Sequence, residues 1–389
     1  MYLIVKESYL KMKHPEILDL YTDYLIACFG KATATGLSSM LDKSISHDKI
    51  SRFLNQPTLN DKDYWKVIKP IIRKVETPQG ILKIDDFIEE KPYTDENAIV
   101  CFHWDHSKNT HVKGMNILHF NYSGVSSEEG TPFRLPVAWE IIKKTQEYAC
   151  KKTGKIKRRS DVSKNELLRR RLRVLTSLNK LEYEYIVWDS WFSSKENLEF
   201  VHYELKKKFV VALKSNRLIA LSLQDKNQGK FQRIDSLDLQ PYLVYTLYLK
   251  GLDFPVRVVK RVFTNKDGSK GELYIITNDF DLTYDQILEI YHERWSIEDA
   301  HKSLKNNVCL QDSPTQKVES QSNHVFSSMI ALVKLEILKF KERKNHFALK
   351  AKLYVKALKA AFQELQEIKK TSNKQPILIR TKSALQNVF

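Results

Sequence analysis

Between residues 81 and 216 five apolar runs rich in β-branched and aromatic residues follow one another: ILKIDDFIEE, AIVCFHW, VKGMNILHFNYS, YEYIVWD and FVVALKSN. A basic stretch over about 138–180 and a segment over about 193–207 read as helices between them. Strands interleaved with helices in this order predict a mixed α/β sheet. Asp85/Asp86 and Asp189 fall where two of the runs stop, and ligands of open α/β sheets bind beyond such carboxyl ends. Carboxylates brought together there repel unless they share a cation, so the pairing points to Mg2+ or Mn2+.

The flanks have another texture. Residues 1–75 read as helical, with two short helical patterns at 36–41 and 47–54 separated by a tight turn, and Ser46 is positioned to cap the second. Such a pair is similar to a helix-turn-helix, which would expose His47, Lys49, Ser51 and Arg52 for reading a groove. Residues 217–272 are polar, with a two-stranded pattern, FPVRVVKRVFT and ELYIITN, about the turn NKDGSKG. From residue 284 the chain reads as helical to about 367, and the last twenty residues as loosely ordered.

Charge narrows the partner class. The 389 residues carry 64 Lys+Arg against 47 Asp+Glu, a formal net charge of +17. Eleven of the cations lie in residues 151–173, opposed only by Asp161 and Glu166. A basic chain with a clustered excess suits a polyanion, and nucleic acid before membrane, because no strongly basic amphipathic anchor stands out. No apolar run reaches the roughly 20 residues that span a bilayer, and the charged N-terminus does not read as a signal peptide. The four cysteines, Cys28, Cys101, Cys150 and Cys309, form no Cys-x-x-Cys pair, which argues against a disulfide scaffold or a zinc ribbon. His103, Asp105, His106 and His111 are close in sequence, but strand alternation sends His103 and His106 to opposite faces. The expectation is a cytoplasmic, nucleoid-associated protein.

The segment YHERWSIEDAHKSLK, residues 291–305, is the most telling. On one continuous helix, Tyr291, Arg294, Glu298, His301 and Lys305 fall within a single narrow arc, beside the apolar positions Ile290, Ile297 and Leu304. A solvated ion-pair face would stand opposite the core and need no tyrosine. The spacing of Tyr291, Arg294, Glu298 and Lys305 resembles the Y-R-E-K signature of a large family of bacterial DDE insertion-sequence transposases. IDDFIEEKPYTDEN and HWDHSKNTHVKGMN resemble the segment around that family's first catalytic acid, and VWDSWFSSKEN the segment around its second.

The resemblance implies a ribonuclease-H-like core in which two Asp and one Glu hold two divalent ions, Mg2+ or Mn2+. Motif by motif these are Asp86, Asp189 and Glu298, with Asp85 a rival for the first place, because Phe87 stands where the family commonly has Thr. It also implies that Tyr291, Arg294 and Lys305 grip phosphates near the cut. Trp191 and Trp295 are then placed to stack on an unpaired base, Arg169, Arg170 and Arg171 belong to the basic DNA-facing stretch, and Lys49 and Arg52 to the end-reading helix. The implied organisation is a helical DNA-binding region over 1–75, a catalytic core over 76–216 and 273–345 split by a β-rich insertion at 217–272, and a helical C-terminal region over 346–389. The implied activity is cleavage at terminal inverted repeats and joining to target DNA, by a homodimer spanning two double-stranded ends. Two other readings stay open: a ribonuclease-H-like nuclease, and a DNA-binding regulator or inactive remnant that does not cut.

Overall fold

A computed structural model describes residues 14–125, 132–151, 154–265 and 267–372. Its centre is one long mixed sheet. Strands β1 (Ile81–Glu90), β2 (Cys101–Asp105), β3 (Thr110–Val125) and β4 (Pro132–Ile141) form an antiparallel meander. β2 and β4 share the outer edge of β3, β2 along its first residues and β4 along its later ones. A short exposed ribbon follows, β5 (Gln146–Ala149) with β6 (Ile156–Arg159). β7 (Tyr185–Trp188) then pairs parallel to β1, and β8 (Lys208–Leu213) parallel to β7. This antiparallel meander followed by two parallel strands is the ribonuclease-H-like core. Past β8 the sheet is extended by β9 (Leu218–Ala220), β10 (Gln232–Arg233), β11 (Tyr245–Leu249), β12 (Val256–Thr264) and β13 (Lys270–Thr277). The β12–β13 hairpin is the two-stranded pattern legible in the sequence, and β13 joins it to β8.

The helices cover both faces. N-terminal helices α1 (Pro15–Ala27), α2 (Ala34–Met40), α3 (His47–Leu54) and α4 (Asp61–Val75) are followed by α5 (Lys164–Arg173) and the short α6 (Lys195–Glu199) and α7 (Leu223–Asn227). Then come α8 (Tyr284–His292), α9 (Trp295–Asn306), α10 (Val318–Glu342) and α11 (His346–Ser372). Ser46 caps α3 as its sequence predicts, accepting from the Lys49 backbone N–H at 3.3 Å. The helices of 15–75 share one continuous buried core with α10 and β4. Polar contacts reinforce that docking: Tyr21 and His324 lie 2.9 Å apart, Tyr64 donates to the Pro136 carbonyl at 2.6 Å, and Asn323 bonds the chain at Leu54, Gln56 and Leu59.

The structure corrects three expectations. Among the described residues of 138–163 none is helical: β4 runs into this span and the β5–β6 ribbon follows, held by Arg158 on Glu147 and by Arg159 over Tyr148. Helical apolar spacing begins only after the Ser163 cap, with Leu168 and Leu172 buried. Asp85 and Asp86 do not end their strand but lie mid-way along β1, which β3 pairs throughout; what ends beside them is the parallel ladder to β7. Finally, 291–305 is two helices. Backbone bonds from Arg294 to Tyr291, Ser296 to Glu293 and Ile297 to Arg294 tighten the junction into i→i−3 geometry. The expected loose ordering of the last twenty residues falls almost wholly outside the described residues, as does most of the N-terminal segment.

Candidate active site

Period-2 alternation divides β1 into two rows. Ile84 pairs with Trp188 as the last step of the parallel ladder, so Asp85 and Asp189 leave the sheet next to each other on the same face. Tyr185 and Val187, which share that row of β7, pack with Ile287 of α8 and with Tyr291. Lys83 and Phe87, which share the row of β1, meet α9 through Ser296 and His301. The face carrying Asp85 and Asp189 is therefore the face that α8 and α9 cover. Asp86 points the other way, where it accepts from Lys164 Nζ of α5 at 2.7 Å and from Asn116 Nδ2 at 3.0 Å.

The electrostatics follow this division. Burial, then the charges of Asp189 and Asp86, push the Asp85 carboxyl up to about 7. Burial also raises Asp189, partly offset by the backbone N–H of Trp191, which donates to its Oδ1 at 2.9 Å. Arg294 is the cation that this group of acids holds. It is largely buried, bonds Glu298 at 3.1 Å, and has its guanidinium over the rings of Tyr291 and Trp295 at 5.8 and 5.0 Å. Burial opposes its charge, but Tyr291, Asp85, Glu298 and Asp189 favour it more. Tyr291 is buried, and burial takes its hydroxyl up to about 12.

A second ionic group pins the α8–α9 junction. Glu293 bonds Ser123 at 2.9 Å and Arg134 at 3.1 Å, with Lys83 at 3.5 Å. Burial works against the Glu293 carboxylate, yet Lys83 and Arg134 hold it down at about 2, while burial brings Lys83 down to about 7. Below it His119 and His301 lie with ring centroids 5.3 Å apart, and burial keeps both neutral.

The acids open on a cleft of about 590 Å³ whose walls include Trp104, His106, Lys164, Trp191, Lys214 and Lys305. Lys305 reaches across to the Ile88 carbonyl at 3.1 Å. Trp191 is exposed on the rim beneath Lys164 Nζ, 4.6 Å from its ring centroid. The expected site residues thus part company. Asp85, Asp86 and Asp189 line the cleft with Lys305 and Trp191, while Arg294, over Tyr291 and bonded to Glu298, meets the acids from beside it. Trp295 is exposed beside Arg294 but outside the wall. Arg171 is buried between Asp61 and Glu140 and is a structural ion pair. Arg169 is engaged with Asn197 at 2.6 Å, and Arg170 is exposed and paired with Glu166. Lys49 and Arg52 are exposed on α3, outside the cleft. Sequence reasoning passed over Lys164 and Lys214, at element ends, and Asn116, inside β3, because single polar residues carry no periodic signal.

Asp85 and Asp189 fit a divalent cation: they are adjacent, desolvated carboxylates with raised proton affinity, the chemistry a metal relieves. Glu298 is turned to Arg294. Accordingly, among the described residues no three His, Cys, Asp or Glu are gathered to hold a metal as they stand.

A ribonuclease-H-like sheet with an acid on its first strand, another just past the first parallel strand β7 and a third acid on a covering helix defines the DDE class of nucleases and transposases. The comparison with family models agrees: the DDE superfamily endonuclease model matches residues 10–230, and the transposase DDE domain model residues 155–334. The chain belongs to the DDE superfamily. No curated protein gives a match. Among the described residues no helix is long and apolar enough to cross a membrane.

Proposed function

We propose that the protein is a cut-and-paste transposase that binds the terminal inverted repeats of an insertion sequence, cleaves there and joins the freed ends to target DNA. The observation that carries this is the meeting of Asp85 and Asp189 in a lysine-walled cleft, with Arg294 drawn to both acids and bonded to Glu298 beside them, in a chain of the DDE superfamily. We assign the acid triad to Asp85, Asp189 and Glu298. What supports Asp85 over Asp86 is its register with Asp189 and the Lys164 ion pair that occupies Asp86.

These three residues would hold two divalent cations, Mg2+ or Mn2+, which in such a site supply a nucleophile at neutral pH and stabilise the leaving oxygen. The protein's own part is positional. Lys164, Lys214 and Lys305 draw the phosphodiester onto the acids, and Arg294, once Glu298 leaves it, is a fork for non-bridging phosphate oxygens. Water adds to phosphorus as the 3′ oxygen departs; the same geometry then presents that 3′-OH to a second phosphodiester. Trp191 is placed to stack on an unpaired base beside the cut, and Lys49 and Arg52 on α3 to contact the end in duplex form. Because two ends must be cut in concert, the working form is a homodimer on double-stranded DNA.

The test uses purified protein, labelled duplex carrying the element's end, and Mg2+ or Mn2+, beside Asp189→Ala and Glu298→Ala. End cleavage that requires metal and is lost in both variants supports the reading, and joining to a plasmid separates transposase from nuclease. The pairing of Glu298 with Arg294 favours a second reading, a regulator or remnant that holds ends without cutting. Tight end binding with no cleavage in any metal would establish that reading instead.

A further inference from the structure

At the root of the sheet extension lies a second cleft, of about 520 Å³, walled by Ser194, Lys195, Glu196, Lys214, Arg217 and Lys250, among others. Its cations come from separate places in the chain: Lys195 from α6, Lys214 and Arg217 from the turn after β8, and Lys250 from the turn after β11. Among the described residues Lys214, Arg217 and Lys250 form no ion pair with a carboxylate, whereas Lys195 is 3.6 Å from Glu199. The two turns are locked together, since the Lys250 N–H donates to the Leu218 carbonyl at 2.9 Å. Lys214 lines this cleft and the acid-bearing cleft alike. Asp189 follows the end of β7 and Lys214 the end of the neighbouring parallel strand β8, so the carboxyl edge of the sheet runs from the acids into the cations without interruption.

We infer that this second cleft is a phosphodiester-binding site, which holds the backbone of the DNA where it continues beyond the catalytic acids. Unpaired cations converging on one concavity have no structural partner to neutralise them, and a phosphate backbone supplies charges at regular spacing. Among the described residues that line this cleft Leu218 is the one apolar side chain, and the shared Lys214 makes the two clefts one track. The inference rests on the proposed DNA-cutting function and adds to it a segment of DNA path that the acid triad does not specify.

The experiment measures binding of the full chain to a labelled duplex of random sequence over a series of salt concentrations, comparing the parent with Arg217→Ala/Lys250→Ala. Loss of two phosphate contacts lowers the slope of log affinity against log salt by about 2, with affinity falling about tenfold or more at low salt. Arg217→Lys/Lys250→Arg keeps the charges and is expected to keep the slope, and unchanged thermal melting confirms that the variants fold. A parent that binds while the alanine variant keeps its slope and affinity overturns the inference and leaves the transposase reading intact. A parent that does not bind duplex overturns both.

Discussion

Lys164 Nζ lies 2.7 Å from Asp86 Oδ2, on the opposite side of β1 from Asp85. That ion pair divides two consecutive acids between two jobs. Asp86 ties α5 to the sheet, while Asp85 is left beside Asp189 with burial working against its charge.

Metal-dependent cleavage should separate the two acids. Asp85→Asn is expected to abolish it, as are Asp189→Asn and Glu298→Gln. Asp86→Asn removes a supporting contact and should cost about 10–100-fold, the usual range for outer-shell partners. Single-turnover rates on labelled duplex decide this; full activity in Asp85→Asn would return the first place to Asp86.

Asp85 contributes stability that is lost as pH rises from about 4 to 7. An unfolded chain releases the Asp85 proton near 4, whereas the folded chain keeps it to about 7, so the folded state binds more protons across that window. Asp85→Asn should therefore melt higher than the parent at pH 8, by about 1–2 °C for each kcal/mol regained, since the shift shrinks as the chain grows. Calorimetry of both proteins at pH 5 and pH 8 checks the sign, and a gap that does not widen at pH 8 contradicts it.

Buried histidines act in the opposite direction at lower pH. His119, His103 and His324 are held by burial at about 3, 3 and 4, below the unfolded value near 6.5. Each contributes stability that is present above pH 6.5 and is lost as pH falls toward those values. Imidazole NMR signals that titrate near 6.5 in the folded protein would show that the rings are not enclosed.

Removing Glu293 takes from Lys83 and Arg134 the acid they share. Glu293→Ala should cost about 3–5 kcal/mol, the range for breaking a buried pair from one side. Lys83→Met added to it should recover part of the loss, because the stranded ammonium is gone. Urea unfolding of the single and double variants measures both steps.

Cys28 and Cys309 interact at the junction of α1 with the segment after α9, where Cys309 Sγ donates to the Cys28 carbonyl at 3.6 Å. Support from the Cys309 thiol, against the opposing effect of burial, brings Cys28 down to about 5. Cys28 should be the first thiol alkylated by iodoacetamide at pH 6.5, and Cys309→Ala should slow it. Equal labelling of all four thiols would contradict that pairing.

Much of the architecture was legible in order and spacing. The apolar runs of 81–216 mark strands because alternation is a local property, and Ser46 capped its helix because a cap needs only its own next three residues. The spacing of Tyr291, Arg294, Glu298 and Lys305 was read on one helix, which is broken at Glu293 and Arg294; Arg294 still bonds Glu298, and Lys305 reaches the Ile88 carbonyl of β1. Within the basic run of 151–173 charge density says nothing of pairing: Lys164 lines the cleft, whereas Arg171 is buried between Asp61 and Glu140.

The sequence by itself therefore determined most of the core strands, the N-terminal helices and the superfamily, all carried by local periodicity and short spacings. Only the tertiary structure decided that Asp85 follows the step in register with Trp188 while Asp86 meets Lys164, and that Lys164, Lys214 and Lys305 wall the cleft. Those are questions of register and of which elements meet. They are settled by contacts between residues tens to hundreds of positions apart, on which a one-residue step along a strand reverses the answer.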